Sequence, residues 1–350
     1  MADEGRYACD NVTLYHGDAL ALLPTLPAAS VHLIVVDPPY RNMKSDAWDR
    51  QWPTREAYLA WLRTCAKEWQ RILTPNGSLY CFASPRMAAY VEVMLGEVFH
   101  VLNHIVWVKH DGSGAGTGGH SKVEKEALVS FFPQSERLIF AEQYASDAYA
   151  MGESGYALAE RQLKTSLFSA PILEAMQGTG TTAKEVTEAI RAYGRVNHGG
   201  AVSNWLQGYN IPTREHYQNM RTFFNTRHGS PDYLRREYED LRREYEFLRR
   251  EYEDLRRPFT VRKDVPYTDV WTFATVQAAP GKHPCEKPLP LLRHIIQASS
   301  RAGDTVLDCF AGSGSTLDAA QQCGRKAIGI EQDAGWYRHA VRRLSQLALF

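Results

Sequence analysis

The run from Val31 to Val36, which contains five aliphatic residues among six, ends directly at the tetrapeptide Asp37–Tyr40 (Asp-Pro-Pro-Tyr). A run of this kind fits a parallel strand that helices cover on both faces. A second such run, Asp304 to Asp308, leads into the glycine-containing turn 309–316. Helical patterns alternate with these and further strand-like runs. We therefore predict an α/β fold with a doubly wound, mostly parallel sheet of the Rossmann-like kind.

Both turn motifs follow the carboxyl end of a predicted strand. In doubly wound sheets, ligands bind in the crevice beyond those strand ends. The sequence therefore predicts that the Asp-Pro-Pro-Tyr turn and the glycine turn belong to one site, although more than 250 residues separate them.

Charge and cysteine usage exclude several classes of protein. The 40 basic and 40 acidic residues balance, so affinity for nucleic acid has to come from a local basic surface. The six cysteines form no C-x-x-C pair, which argues against a metal site or a disulfide framework and fits a reducing cytoplasm. The aliphatic runs are too short to span a membrane, and the N-terminus lacks the pattern of a signal peptide.

A change of composition divides the chain. Residues 151–264 are dominated by helical patterns, whereas strands and helices alternate on either side. We predict a discontinuous catalytic domain, 1–150 and 265–350, interrupted by a helical insertion over 151–264.

The insertion contains a heptad repeat over residues 233–257. Leucine and tyrosine alternate at four- and three-residue spacing, which is the core pattern of a coiled coil. Two interpretations stay open. The helix either packs on its own subdomain or joins two copies of the chain in a homodimer.

The Asp37–Tyr40 turn suits chemistry on an exocyclic amine of a base. An ionised Asp37 only accepts hydrogen bonds, and neither Pro38 nor Pro39 has a backbone N–H to donate. The Tyr40 ring offers a face on which an extruded base can stack. A plain Asp–Pro turn that closes a strand is the alternative.

The glycine turn suits binding of a cofactor. Gly312 and Gly314 allow close approach of the backbone to a ligand, next to the N–H groups of a following helix. The next predicted strand ends at Glu331, which can accept hydrogen bonds from ribose hydroxyls. Packing of a strand–helix turn is the alternative.

This ordered set of motifs resembles the β-group of amino DNA methyltransferases, in which a Asp-Pro-Pro-Tyr motif precedes a Phe-x-Gly-x-Gly motif. The stretches Gly17–Leu20, Trp48–Asp49 and His283–Pro288 also match motifs of that family. The likeness covers about two-thirds of the chain. It is nearest to adenine methyltransferases of phages and prophages, some of which have little sequence preference.

The resemblance implies S-adenosylmethionine as cofactor, double-stranded DNA as substrate, and no metal. It makes Asp37, Pro38, Pro39 and Tyr40 the catalytic loop, with an extruded adenine as target, and it puts Trp48 in a loop that closes over that base. The residues that it assigns to the cofactor are Asp18 (adenine), Glu331 (ribose), Phe310, Gly312, Gly314, and, near the carboxylate, Lys287 or His283, Ser315 and Thr316.

Residues 178–231 resemble the helix-turn-helix of phage repressors, with a second helix near Gly200 to Gln207. The segment contains six basic and three acidic residues, and Asn204 and Gln207 are candidate DNA contacts. An ordinary helical subdomain is the alternative.

The sequence as a whole predicts a bacterial, cytoplasmic DNA adenine-N6 methyltransferase, site-specific or of low specificity, of the restriction–modification or phage-protective kind. Family members with serine in place of Asp37 modify cytosine N4, so Asp37 favours adenine. Cytosine-N4 methylation and a DNA-binding regulator with a relic catalytic sheet are the alternatives.

Overall fold

A computed structural model describes residues 5–41, 50–110, 129, 131, 134–144, 151–190, 200–228, 233–261, 266–276, 283 and 285–347. The chain divides into two compact units. The first comprises residues 1–152 and 257–350, and the second comprises residues 153–256. In the described part of the chain, no helix is long and apolar enough to cross a membrane.

A nine-stranded sheet forms the centre of the first unit, in the order β1-β2-β9-β8-β3-β4-β6-β5-β7. The strands are β1 (Arg6–Cys9), β2 (Val12–His16), β3 (Val31–Val36), β4 (Leu73–Ala83), β5 (His100–His110), β6 (Ser135–Glu142), β7 (Val270–Ala274), β8 (Thr305–Asp308) and β9 (Lys326–Glu331). The predicted α/β fold with a mostly parallel sheet is confirmed.

The block β2-β9-β8-β3-β4 is parallel throughout. Its five carboxyl ends therefore lie along one edge of the sheet. The chain order reverses between β8 and β3, which is the switch point where ligands bind in open α/β sheets. At the other side of the sheet, β6 pairs antiparallel with both β4 and β5.

Helices cover both faces of this sheet, and each face has its own apolar core. The helices of the first unit are α1 (Ala19–Leu22), α2 (Arg55–Ile72), α3 (Ala88–Gly96), α10 (Leu289–Ser299), α11 (Ser315–Gln322) and α12 (Ala334–Leu347). Strand β3 is buried on both faces, because Val31, Ile34 and Val36 belong to one core and Leu33 and Val35 to the other. This explains why its sequence is a continuous aliphatic run rather than an alternating one.

The second unit is helical and has a separate core. Its helices in the described ranges are α4 (the part of Met151–Lys164 from residue 153), α5 (Ala170–Thr179), α6 (Ala183–Ala189), α7 (Ala201–Leu206), α8 (Arg214–His228) and α9 (Tyr238–Tyr252), with a π-helical turn at Thr165–Ser169. A capping box between Thr182 and Glu185 begins α6.

The second unit ends earlier than the predicted boundary at residue 264. Arg257 makes an ion pair with Glu142 of β6, and Thr260 N donates to Ala298 O, so this segment belongs to the first unit.

The heptad repeat forms a shorter helix than the predicted 233–257. Leu234 has a φ of +51°, and Tyr233 exchanges hydrogen bonds with the side chain of Asn225, so α9 begins only at Tyr238. Leu241 and Tyr245 are buried in the core of the second unit itself. The heptad stripe thus packs on its own subdomain, as the first of the two interpretations expected, and the homodimer stays a prediction.

Candidate active site

A cavity of about 980 Å³ lies at the carboxyl ends of the parallel strands, within the first unit. Residues that follow β2, β3, β4, β8 and β9 line it. Among the predicted site residues, those that line it are Asp18, Asp37, Pro38, Pro39, Tyr40, Lys287, Phe310, Gly312 and Glu331. The fold therefore brings the two sequence motifs into one site.

Asp37 follows the last residue of β3, and its side chain is 18% exposed. Its Oδ2 accepts a hydrogen bond of 2.6 Å from Lys287 Nζ. Its Oδ1 is buried and has no hydrogen-bond partner among the described residues. A buried acceptor without a partner costs free energy, so its persistence in a cavity indicates a place for a donor from a ligand.

Glu136, at the start of β6, links Tyr40 to two lysines. Its Oε2 accepts from the Tyr40 hydroxyl at 2.8 Å and lies 3.2 Å from Lys287 Nζ, while Lys109 Nζ contacts its Oε1. The Lys287 ammonium also lies 5.2 Å from the centre of the Tyr40 ring. Two carboxylates and two ammonium groups thus balance in charge around one tyrosine.

Burial sets the electrostatics of this group. It raises the pKa of Asp37, which the Lys287 ammonium counteracts only in part, and it raises the pKa of Tyr40 well above the usual range. The pKa of Glu136 is lowered to about 2, because two lysines outweigh the cost of burial. Asp37 is therefore the more basic of the two carboxylates.

The glycine turn between β8 and α11 brings backbone close to the cavity. Gly312 has a φ of +51°, and a Cβ added there would lie 3.3 Å from the His283 ring. Gly312 N donates to Glu331 Oε2 at 2.7 Å, and Asp333 N donates to Glu331 Oε1 at 2.7 Å. An ionised carboxylate offers about four acceptor positions, so Glu331 keeps capacity for two further donors.

Aromatic rings form one wall of the cavity. Phe310 lies 5.5 Å from Trp61 and 6.3 Å from Trp69, measured between ring centres. The His283 ring stands edge-to-face on Trp336 at 4.5 Å. Asp18 begins α1 at the same edge, and its Oδ1 accepts from Leu20 N at 3.2 Å. The cavity thus combines apolar faces with carboxylate acceptors.

Three residues predicted to bind the cofactor do not line the cavity. Ser315 and Thr316 are buried, and an added Cβ at Gly314 would lie 3.0 Å from Ala340 Cβ. The Thr316 side chain interacts instead with Asp308, whose pKa burial raises to about 7. The second glycine and the helix start thus contribute to the packing of α11 against α12 and β8, and a contact of these three residues with a cofactor stays a prediction.

Lys287 contacts two carboxylates of the cavity. Its ammonium lies against Asp37 and Glu136, and Asp37 is 250 residues away in the chain. The predicted place of Lys287 near the carboxylate of a cofactor stays a prediction.

The predicted DNA contacts fall elsewhere. Trp48 lies outside the described residues. Asn204 and Gln207 belong to the second unit, where Asn204 is half-buried on α7 and Gln207 is exposed just after it.

Glu136 and Lys109 are site residues that the sequence motifs did not reveal. Each lies at the edge of a strand with no turn motif beside it, and antiparallel pairing of β5 with β6 brings them together. The available signal was a basic residue near the end of one strand and an acidic residue near the start of the next strand along the chain, Lys109 and Glu136. No group of His, Cys, Asp or Glu that could hold a metal occurs among the described residues.

Comparison with known proteins agrees with this site. The model of the N6_N4_Mtase family, described as DNA methylase, matches residues 31–342. DNA adenine methyltransferase YhdJ of Escherichia coli (strain K12) is 27% identical over 343 residues, which cover 97% of this chain and 84% of that protein. Type II methyltransferase M1.MboII of Moraxella bovis is 25% identical over 323 residues, 91% of each chain.

A solved structure extends the comparison to the fold. The PvuII DNA methyltransferase, described as cytosine-N4-specific, superimposes with a TM-score of 0.53 at 13% identity, covering 98% of this chain and 93% of that one. At this identity the similarity concerns the fold alone.

Proposed function

Since this chain belongs to the N6_N4_Mtase family of DNA methylases, we propose that it transfers a methyl group from S-adenosylmethionine to N6 of an adenine in DNA. The family includes enzymes that act on adenine N6 and on cytosine N4, as its name states. The relative YhdJ, similar over 97% of this chain, is named an adenine methyltransferase. That name and the aspartate at position 37 favour adenine.

One observation carries the proposal. Asp37 lies at the carboxyl end of β3 in the cavity, its Oδ2 is fixed by Lys287, and its Oδ1 has no partner among the described residues. An exocyclic amine is the kind of donor that this oxygen lacks. A regulator with a relic sheet would have no need of such an acceptor.

The residues around the cavity fit the cofactor. A volume of about 980 Å³ is large enough for a drug-sized molecule together with a base. Gly312 allows backbone approach that a Cβ would obstruct, and Glu331 has acceptor positions left for two ribose hydroxyls. Phe310 and Trp61 offer apolar faces, and Asp18 an acceptor, for the adenine ring. When bound, S-adenosylmethionine supplies an electrophilic methyl group.

The residues of the chain itself act on the target amine. Asp37 Oδ1 accepts a hydrogen bond from the amine, and this raises the electron density on the amine nitrogen. The same oxygen then receives the proton that the methylated amine must lose. The raised pKa of Asp37 makes it a stronger base than an exposed aspartate. Pro38 and Pro39 stiffen the loop, and Tyr40, held by Glu136, presents its ring to the extruded base.

Product analysis tests the proposal. Purified protein, unmethylated DNA and methyl-labelled S-adenosylmethionine should give labelled N6-methyladenine. An Asp37→Asn variant should lose at least about 10²-fold in kcat, because the amide is a poor proton acceptor, with DNA and cofactor affinity retained. Labelled N4-methylcytosine would favour the cytosine alternative. DNA binding without any label would favour the regulator.

Recognition of DNA is assigned to the second unit in this proposal. Its support is the exposed Gln207 and half-buried Asn204 on α7, in a segment with net positive charge. The helix-turn-helix, low sequence specificity and restriction–modification or phage-protective role stay hypotheses, and sequencing of methylated bases in DNA from an expressing host tests them together.

The homodimer, a bacterial cytoplasmic location and a phage or prophage origin are also proposals. A dimer through the heptad helix would have to use its exposed side chains, such as Phe247 and Leu255, because Leu241 and Tyr245 are already buried in the second unit. Light scattering of the purified chain tests this point.

A further inference from the structure

We propose that Glu136 and Lys109 are positioning residues for methyl transfer, acting through Lys287 and Tyr40 on the charge and orientation of Asp37. This inference rests on the proposed function, since it assigns the residues that tune its general base. None of the sequence motifs includes either residue, and neither needs to touch substrate.

The geometry is a chain of contacts that starts at Asp37. Asp37 Oδ2 contacts Lys287, which lies 3.2 Å from Glu136 Oε2. Glu136 in turn contacts Lys109 through its other oxygen. The side-chain exposures are 18% at Asp37, 7% at Lys287, 12% at Glu136 and 37% at Lys109, so the chain of charges passes through a buried centre and reaches solvent at Lys109.

Tyr40 closes this arrangement. Its hydroxyl donates to the same Glu136 oxygen that faces Lys287, so one carboxylate orients both the catalytic ring and the ammonium that holds Asp37. Phe82 lies under Lys287 at 4.9 Å from ring centre to Nζ and keeps water from that side. Lys287 must therefore divide its attraction between two carboxylates.

Asp37 and Glu136 compete for Lys287, and this competition predicts the direction in which each substitution shifts the pKa of Asp37. Without a charge at position 136, Lys287 would serve Asp37 alone and a repelling carboxylate would be gone, so the pKa of Asp37 would fall. Without Lys109, Glu136 would draw Lys287 more strongly, and the pKa of Asp37 would rise. The opposite signs distinguish electrostatic tuning from a mere packing role.

The groups that face Asp37 come from several elements. Burial raises its pKa most, Lys287 lowers it, and Glu136 raises it. The titratable or charged groups around it are Lys287 before α10, Glu136 on β6, Tyr40 on its own loop, Cys81 on β4 and Asp308 on β8. Burial also raises the pKa of Cys81 above the usual range and that of Asp308 to about 7. The two substitutions leave both of these residues in place and change the charge beside Lys287.

The test is the pH dependence of kcat/KM on unmethylated DNA, whose acidic limb reports the essential base of the free enzyme. Glu136→Gln should move that limb to lower pH by roughly one unit, and Lys109→Met should move it to higher pH by a smaller amount. Because Lys109 is partly exposed, Lys109→Met should fold even if Glu136→Gln, which removes a buried charge, does not.

Glu142→Gln is the matched control. Glu142 is a buried carboxylate on the same strand β6, paired with Arg257 and His100, and it does not line the cavity. Its loss should lower the denaturation midpoint and leave the acidic limb where the wild type has it.

A second readout needs neither DNA nor cofactor. In protein labelled with ¹³C at aspartate carboxyls, the signal that disappears in Asp37→Asn titrates with the pKa of Asp37, and it should shift in the same opposite directions. Coincident limbs and coincident titrations in wild type, Glu136→Gln and Lys109→Met would overturn the inference. Shifted titrations in a protein that transfers no methyl group would instead overturn the proposed function and leave the charge network standing.

Discussion

Replacing Gly314 by alanine should destabilise the protein through packing rather than through loss of cofactor binding. Gly314 has a φ of +77°, in the left-handed region, and an added Cβ would lie 3.0 Å from Ala340 Cβ, an atom in the buried core. Two costs therefore add in the Gly314→Ala variant. One arises from the backbone and the other from the contact between α11 and α12.

The chain supplies a control that separates these two costs. Gly303 has a φ of +83°, and an added Cβ there meets nothing within 4 Å. A non-glycine residue in the left-handed region costs roughly 1–2 kcal/mol, offset in part by the smaller entropy of the unfolded chain. Gly303→Ala should thus lower the free energy of unfolding by about 1 kcal/mol. Overpacking adds roughly 1–3 kcal/mol, so Gly314→Ala should lower it by about 2–4 kcal/mol.

The assay is urea denaturation of both variants, paired with calorimetric titration of S-adenosylmethionine at a temperature where both are folded. Gly314→Ala should bind with wild-type affinity, whereas Gly312→Ala, whose Cβ would lie 3.3 Å from the His283 ring in the lining of the cavity, should bind more weakly. Equal denaturation midpoints for Gly303→Ala and Gly314→Ala would refute the packing argument. Weakened binding in Gly314→Ala alone would restore its predicted cofactor role.

Three further predictions concern other parts of the molecule. Burial lowers the pKa of His283 to about 4, so the folded state takes up fewer protons than the unfolded state between pH 6.5 and 4. Stability should therefore fall by up to about 2 kcal/mol as pH drops through that window, and denaturation of His283→Gln should show a flatter profile. Tyr245→Ala should destabilise the second unit by about 2–4 kcal/mol, because its ring is buried against Phe168 and its hydroxyl donates to Glu160. Phe247→Ala, on the exposed face, should change the stability of that unit by less than about 0.5 kcal/mol. A larger loss of stability for Phe247→Ala than for Tyr245→Ala would indicate that the exposed face is an interface. The variants Gln207→Ala and Asn204→Ala should each weaken DNA binding by about 1–3 kcal/mol in a fluorescence titration and leave the cofactor affinity unchanged. If both variants bind DNA as the wild type does, α7 is not part of the recognition surface.

Local patterns predicted the centre of the sheet well. Strand β3 is aliphatic except for His32 because both of its faces are buried, and Val306 and Leu307 of β8 likewise belong to the two opposite cores. The short strands β2 and β7 were not predicted, since five residues of mixed character carry little periodicity. Their place in the sheet is decided by partners, β9 and β5, that lie far away in the chain.

The site was predictable only where a turn motif marked it. Asp37 and Gly312 were found because a strand leads straight into each turn. Glu136 was not, because its role depends on strand pairing that brings it beside Tyr40, 96 residues away. The motif predicted a cofactor contact for Gly314, whereas its φ and its contact with Ala340 cannot be read from the motif. Motifs thus locate the turns, and tertiary packing decides which side chains face the cavity.

The interleaved order of the sheet has a consequence for how the protein is made. Strands β9 and β8 lie between β2 and β3, and β7 lies beside β5, so the last hundred residues supply neighbours to strands from the first half at several places. A nascent chain that has emerged only through the helical unit therefore has β2 and β3 with open edges, which are prone to wrong pairing. Completion of the sheet must wait until β9 has left the ribosome, and Asp37 likewise meets Lys287 only late in synthesis. A partly synthesised chain should therefore have no methyl-transfer activity that could act on DNA.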